Sequence, residues 1–160
     1  MKTSYKLGLS FGSVSGVIST LGLMVGLESG TQSKMAVIGG IIMIAIADSF
    51  SDALSMHVSE ESQRDKKQDF IWQVTIATFI SKIAIAFSFI IPFLFFEVTS
   101  AIIFNIIWGL TLVALINYYV AKSRMSRPWG LIIEHLLIAI CVIIITYLTG
   151  MLVRDYLISL

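Results

Sequence analysis

The stretch IADSFSDALSMHVSEES, residues 46–62, carries the side chains whose types and spacing suit chemistry. Asp48 and Asp52 are one helical turn apart, and Met56 follows one turn further on. At about 100° per residue, Asp48, Asp52, Ser55, Met56 and Ser59 fall within an arc of about 100°, a single stripe along a helix. The preceding run, AVIGGIIMIA, is apolar enough to lie in lipid. A carboxylate in hydrocarbon costs about 2.5–3.5 kcal/mol even on the lenient insertion scale. Two on one face repel unless a proton or a cation sits between them. Oxygens suit hard divalent cations, and a thioether adds affinity for softer transition metals, so the stripe suits Fe2+ or Mn2+ better than Ca2+. Asp48 and Met56 are eight residues apart, roughly 12 Å along a helix, and read as successive stations for an ion. Carboxylates that release protons when metal binds would couple the two movements.

A purely structural answer exists for one of the acids. Lys82 sits near the middle of an apolar run at a depth similar to Asp48. An Asp–Lys pair between neighbouring helices would neutralise that acid and leave the other unexplained. Glu60 and Glu61 follow the stripe and either attract cations or are solvated loop charge. Glu134 and His135 stand just over a turn inside another apolar run. They read as part of a cytoplasmic vestibule or proton relay, or Glu134 pairs with Arg127 or Arg124. Asn105 and Asn117 read as interhelical hydrogen-bonding groups.

These residues need elements to hold them, and composition says which kind. Of 160 residues 57% are hydrophobic and 13% charged, with a mean hydropathy of +0.91; soluble domains carry roughly 25% charged residues. Roughly 20 apolar residues cross a bilayer as a helix. Five runs qualify, at about 8–27, 35–58, 70–94, 99–121 and 129–153. The fold expected is all-α, one transmembrane domain of five helices. Lys2 and Lys6 before the first run mimic a signal peptide, but the run is long and lacks an A-x-A-like cleavage site, so a retained span is expected. The connections are short, and the longest polar stretch, 59–69, has no room for a soluble domain. The single cysteine, Cys141, lies in an apolar run and reads as a small buried residue.

Basic residues set the expected orientation. Five spans put Lys2, Lys6, Arg64, Lys66, Lys67, Lys122, Arg124 and Arg127 on one side, and Lys34 and Arg154 on the other. The positive-inside rule then puts the N-terminus in the cytoplasm and the C-terminus outside or in a lumen. In the first span Gly8, Gly12 and Gly16 recur every four residues, as do Gly22 and Gly26. Such spacing lets a partner backbone approach closely. The partner is either another span of the same chain or a second copy, which would make a homodimer through the first span.

Several of these stretches resemble the vacuolar iron transporter family of divalent-metal/proton antiporters. FGSVSGVISTLGLMVGL (11–27) is similar to the family's first span, and DALSM (52–56) with ESQRD (61–65) to its second-span signature. IIPF (90–93) and TYLTG (146–150) are similar to its third-span and fifth-span motifs. Ser15 stands where the family carries an Asp, and Asp52 where it carries a Gly. The chain would be a short member without the family's cytoplasmic metal-binding domain. The resemblance implies export of Fe2+ or Mn2+ from the cytosol in exchange for protons. The metal ligands expected are Asp48, Asp52, Met56, Glu60 and Glu134. The metal is cargo, and no cofactor or nucleic-acid partner is expected. The membrane would be the plasma membrane of a prokaryote or an organelle membrane of a eukaryote. No nucleophile–base pair or metal-hydrolase motif points to an enzyme. The rival reading is a non-transporting adaptor or assembly subunit whose intramembrane charges pair with one another.

Overall fold

A chain in hydrocarbon must satisfy its backbone polar groups internally, and a helix does so within one segment. In the computed structural model, which describes residues 3–123, 125 and 127–158, every regular element is accordingly a helix. They are α1 (Thr3–Thr31), α2 (Lys34–Glu61), α3 (Gln68–Ser88), α4 (Ile91–Phe95), α5 (Val98–Ser123) and α6 (Pro128–Ile158). Five spans are long and apolar enough to cross a membrane, α3 and α4 together forming the third. The protein is thus built as an integral membrane protein. Each helix runs a few residues beyond its apolar stretch, because backbone hydrogen bonding continues into the interface after hydrophobicity ends. Only residues 32–33 separate α1 from α2, and 62–67 separate α2 from α3. Of the basic residues, Lys2 and Arg124 lie outside the described residues.

Local chemistry places the breaks. Gln32, with φ at 50°, takes the left-handed conformation that ends α1, its N–H reaching the Glu28 carbonyl at 2.8 Å. Ser33 then caps α2, accepting from the Ala36 N–H at 3.3 Å. The third span breaks at Phe89–Ile90, just before Pro92. Pro92 has no N–H and its ring crowds the carbonyl four residues back. Phe93 N bonds to the Ile90 carbonyl instead of the Phe89 carbonyl. The Phe89 carbonyl accepts from Asn105 Nδ2 on α5, at 2.9 Å. Asn105 is thus the interhelical group its position suggests. Asn117 instead donates within its own helix, to the Val113 carbonyl.

α1 is the central helix, with half of its apolar span buried against 11% for α6. It packs on α2, α3, α5 and α6. The glycine stripe explains how. A Cβ at Gly8 would sit 2.8 Å from Ala77 Cβ, and one at Gly12 would collide with the Thr78 carbonyl oxygen. These glycines let α3 lie against α1 at backbone distance. Further along, Gly22 faces Val142, and Gly26 and Gly30 face Thr146 and Gly150 of α6. The close contact that suggested a homodimer through the first span is therefore made inside one chain. α3 occupies one glycine face of α1 and α6 the other. Cys141 is exposed on α6 rather than buried.

Candidate functional site: an ammonium between two carboxylates

The packing of α1, α2 and α3 brings four polar side chains to one point. Asp48 and Asp52 project from successive turns of α2 toward Lys82 of α3. Lys82 Nζ is 2.6 Å from Asp48 Oδ2. It also contacts Asp52 Oδ2 and lies 3.0 Å from Ser15 Oγ of α1. Ser15 Oγ in turn donates to Asp52 Oδ2 at 2.6 Å. Three oxygens from two helices thus converge on one nitrogen. Lys82 is 2% exposed, whereas the carboxylates of Asp48 and Asp52 are 28% and 20% exposed. The cation is sealed in, and its acids keep an open side.

The two acids are held differently. Asp52 accepts hydrogen bonds from both Lys82 and Ser15. Asp48 Oδ2 has no aligned donor, although it is within ion-pair distance of Lys82. Charge alone holds Asp48, so Asp52 is the more firmly anchored. The α1 glycines set this geometry. Gly12 draws α1 onto α3 at Thr78, and Gly16 leaves space for the Lys82 stem, whose Cγ would lie 3.2 Å from a Cβ there. Ser15 stands between these glycines and so meets the ammonium. Two carboxylates and one ammonium sum to one net negative charge, in a layer where charge is costly.

The other expected ligands stand elsewhere. Met56 is half-buried one turn beyond Asp52. Glu60 lies eight residues past Asp52, roughly 12 Å along α2. Its side chain is buried and paired with Lys66 at 3.4 Å, so it is not solvated loop charge. Lys66 also lies over the Phe70 ring, 4.3 Å from its centroid, and ties the 62–67 connection down. Glu134 is exposed on α6 and makes no ion pair among the described residues. Arg124, its alternative partner, lies outside them. His57 bonds Thr75 Oγ1 through Nδ1 at 2.9 Å and meets the Trp72 ring edge-on, in an apolar groove between α2 and α3. Among the described residues, no three His, Cys, Asp or Glu side chains cluster as metal ligands.

Sequence reasoning offered Lys82 to one acid only. Helix geometry carried the missing signal, since residues one turn apart are about 6 Å from each other along the axis and one ammonium fits between their side chains. The role of Ser15 follows only from knowing that α1 lies against α3. Comparison with family models, with curated proteins and with solved structures returned no match.

Proposed function

We propose that this chain is a proton-coupled transporter of divalent transition-metal ions, Fe2+ or Mn2+, and that Asp48 and Asp52 are its central cation ligands. One observation carries the reading: three oxygens of Asp48, Asp52 and Ser15 converge on a point that a cation, the Lys82 ammonium, already occupies. If the flexible lysine stem withdraws, the same oxygens face a vacant point suited to a hard or borderline cation. Lys82 then acts as a tethered substitute that keeps the site neutralised between cargo ions. The excess negative charge of the group favours a second cation or a proton, which is the asset a transporter needs and a structural pair does not. The choice of metal rests on the resemblance of the second-span residues 52–56 and 61–65. The direction, out of the cytosol, rests on the same resemblance, and the basic residues gathered on the N-terminal side supply only the expected orientation.

The second reading is an adaptor or assembly subunit in which the group only ties α1, α2 and α3 together. It is favoured by Lys82 contacting both acids and by the lack of a third acidic or imidazole ligand among the described residues. Reconstitution in liposomes separates the two. Transport predicts Mn2+ flux that responds to an imposed pH gradient and is lost in Asp52→Asn. Absence of flux for both Mn2+ and Fe2+ in either gradient direction, with folded protein in the membrane, refutes the transport reading.

A further inference from the structure

The glycine contacts of α1 with α6 are confined to one half of the pair. Gly22, Gly26 and Gly30 meet Val142, Thr146 and Gly150, and a Cβ at position 30 would lie 3.2 Å from the Gly150 carbonyl oxygen. The two helices run parallel, and toward their N-terminal ends no glycine of α1 faces α6. There a groove of about 430 Å³ opens between α1, α5 and α6. Its lining is largely apolar but includes Ser10, Ser15, Asn117 and His135. Ser10 and His135 are each seven residues from the start of their helix, and Asn117 is six from the end of α5. At 1.5 Å per residue these three helices therefore present their polar groups at one depth, about 10 Å in. Ser15 lies about 8 Å deeper.

Two features distinguish this groove from a lipid-filled crevice. Ser15, at its inner end, is also the residue that donates to Asp52 and accepts from Lys82. Ser15 therefore touches the groove on one side and the charged group on the other. His135 Nδ1 lies 2.9 Å from the Leu131 carbonyl. A carbonyl only accepts, so Nδ1 carries the proton and Nε2 of the neutral ring keeps its lone pair. Nε2 has no partner among the described residues. In hydrocarbon that nitrogen would go unsatisfied, at a cost of order 1–3 kcal/mol. Water or a cation in the groove removes that cost, and imidazole nitrogen is a good ligand for first-row transition metals.

We propose that the groove between α1, α5 and α6 is a water-filled entrance to the Asp48–Asp52 pair, with His135 as its outer cation ligand and Ser15 as its inner gate. The identity of the cation as a divalent transition metal rests on the transport reading above; the water-filled route does not. With the N-terminus cytoplasmic, the entrance opens toward the cytosol. The route lies within one chain and requires no second copy.

Thiol accessibility tests it in the full chain, in membranes, with Cys141→Ser as background. Single cysteines at Ser10, Leu131 and Ser15 are compared with one at Ile145, which is 62% exposed on the outer face of α6. A charged, membrane-impermeant methanethiosulfonate reacts with thiolate, which forms in water and not in lipid, so labelling at 10 and 131 is expected to be roughly ten-fold or more faster than at 145. Mn2+ is expected to slow labelling at 131 when His135 is present and not in His135→Asn. Equal rates at 10, 131 and 145 overturn the entrance. Fast labelling that Mn2+ slows equally in His135→Asn, or does not slow at all, overturns the ligand role of His135. Fast labelling in a protein that moves no Mn2+ in liposomes leaves the entrance standing and refutes transport; Mn2+ flux with slow labelling refutes the entrance alone.

Discussion

Replacing Lys82 with Met keeps the length and apolar stem of a side chain that is 2% exposed and removes only its charge. Asp48 and Asp52 then face each other with no counter-ion, one turn apart on α2. Breaking a fully buried ion pair by removing one partner costs about 3–5 kcal/mol. Here the carboxylates are 28% and 20% exposed, so water screens part of the loss. The expected cost is about 2–3 kcal/mol, below the range for a sealed pair. For a chain of this length 1 kcal/mol corresponds to about 2–4 °C, which predicts a fall in Tm of roughly 5–10 °C. Intrinsic fluorescence from the three tryptophans reports the transition in detergent. Adding Asp48→Asn and Asp52→Asn to Lys82→Met removes every charge of the group and is expected to recover most of the loss. The same variants separate the two functional readings. With the ammonium gone, Mn2+ gains access to the three oxygens, and Mn2+ at a hundred times its Kd adds about 2.7 kcal/mol to Lys82→Met. In the adaptor reading Mn2+ leaves the Tm of every variant unchanged. A Lys82→Met protein as stable as the parent, or one not rescued by the two Asn changes, would refute the description of Lys82 as the counter-ion of both acids.

Gly12→Leu is expected to destabilise the fold by about 3 kcal/mol or more, because even a Cβ at position 12 meets the Thr78 backbone and cannot be accommodated by a rotamer change; unchanged thermal stability, with the only effect on oligomeric state, would return the stripe to a dimer contact. Asn105→Leu leaves the Phe89 carbonyl without its donor and is expected to cost about 1–3 kcal/mol, with partial rescue by Pro92→Ala, which lets the helix continue so that the Phe93 N–H can turn from the Ile90 carbonyl to the Phe89 carbonyl; absence of rescue would show that the proline does not create the need for Asn105. A cysteine at position 66 in the Cys141→Ser background is expected to resist an impermeant reagent added outside intact cells, since the positive-inside rule puts the 62–67 connection in the cytoplasm. Efficient external labelling there would invert the expected topology and, with it, the proposed direction of transport.

Much of this architecture was legible along the chain because the bilayer imposes a length. Five apolar runs each long enough to cross it stand out without any knowledge of their neighbours. Helical periodicity made Asp48 and Asp52 one stripe, since the angle between residues four apart is a property of the helix alone. Pro92 carries a signal of the same local kind, but the third run, 70–94, read as one unbroken span, and the structure divides it at Phe89–Ile90. In each case the cause lies within a few residues of its effect.

What lay beyond reach were the partners. Four-residue glycine spacing states that something comes close to α1, but the spacing is the same whether that neighbour is α3, α6 or a second copy. Only the packed bundle assigns Gly12 to Thr78 and Gly26 to Thr146. Lys82 was visible as an intramembrane charge, but which acids it meets depends on the rotation of α3 about its axis, which contacts on other helices determine. Glu60 read as a cation-attracting group or as solvated loop charge, and in the fold it is buried and paired with Lys66. His135 and Glu134 are adjacent in sequence, yet one lines a groove and the other is exposed, since neighbouring residues on a helix point about 100° apart. The sequence alone thus determined the helices, their spans and the stripes they carry. Tertiary structure decided which stripes face one another, because that depends on the relative rotation and approach of helices distant along the chain.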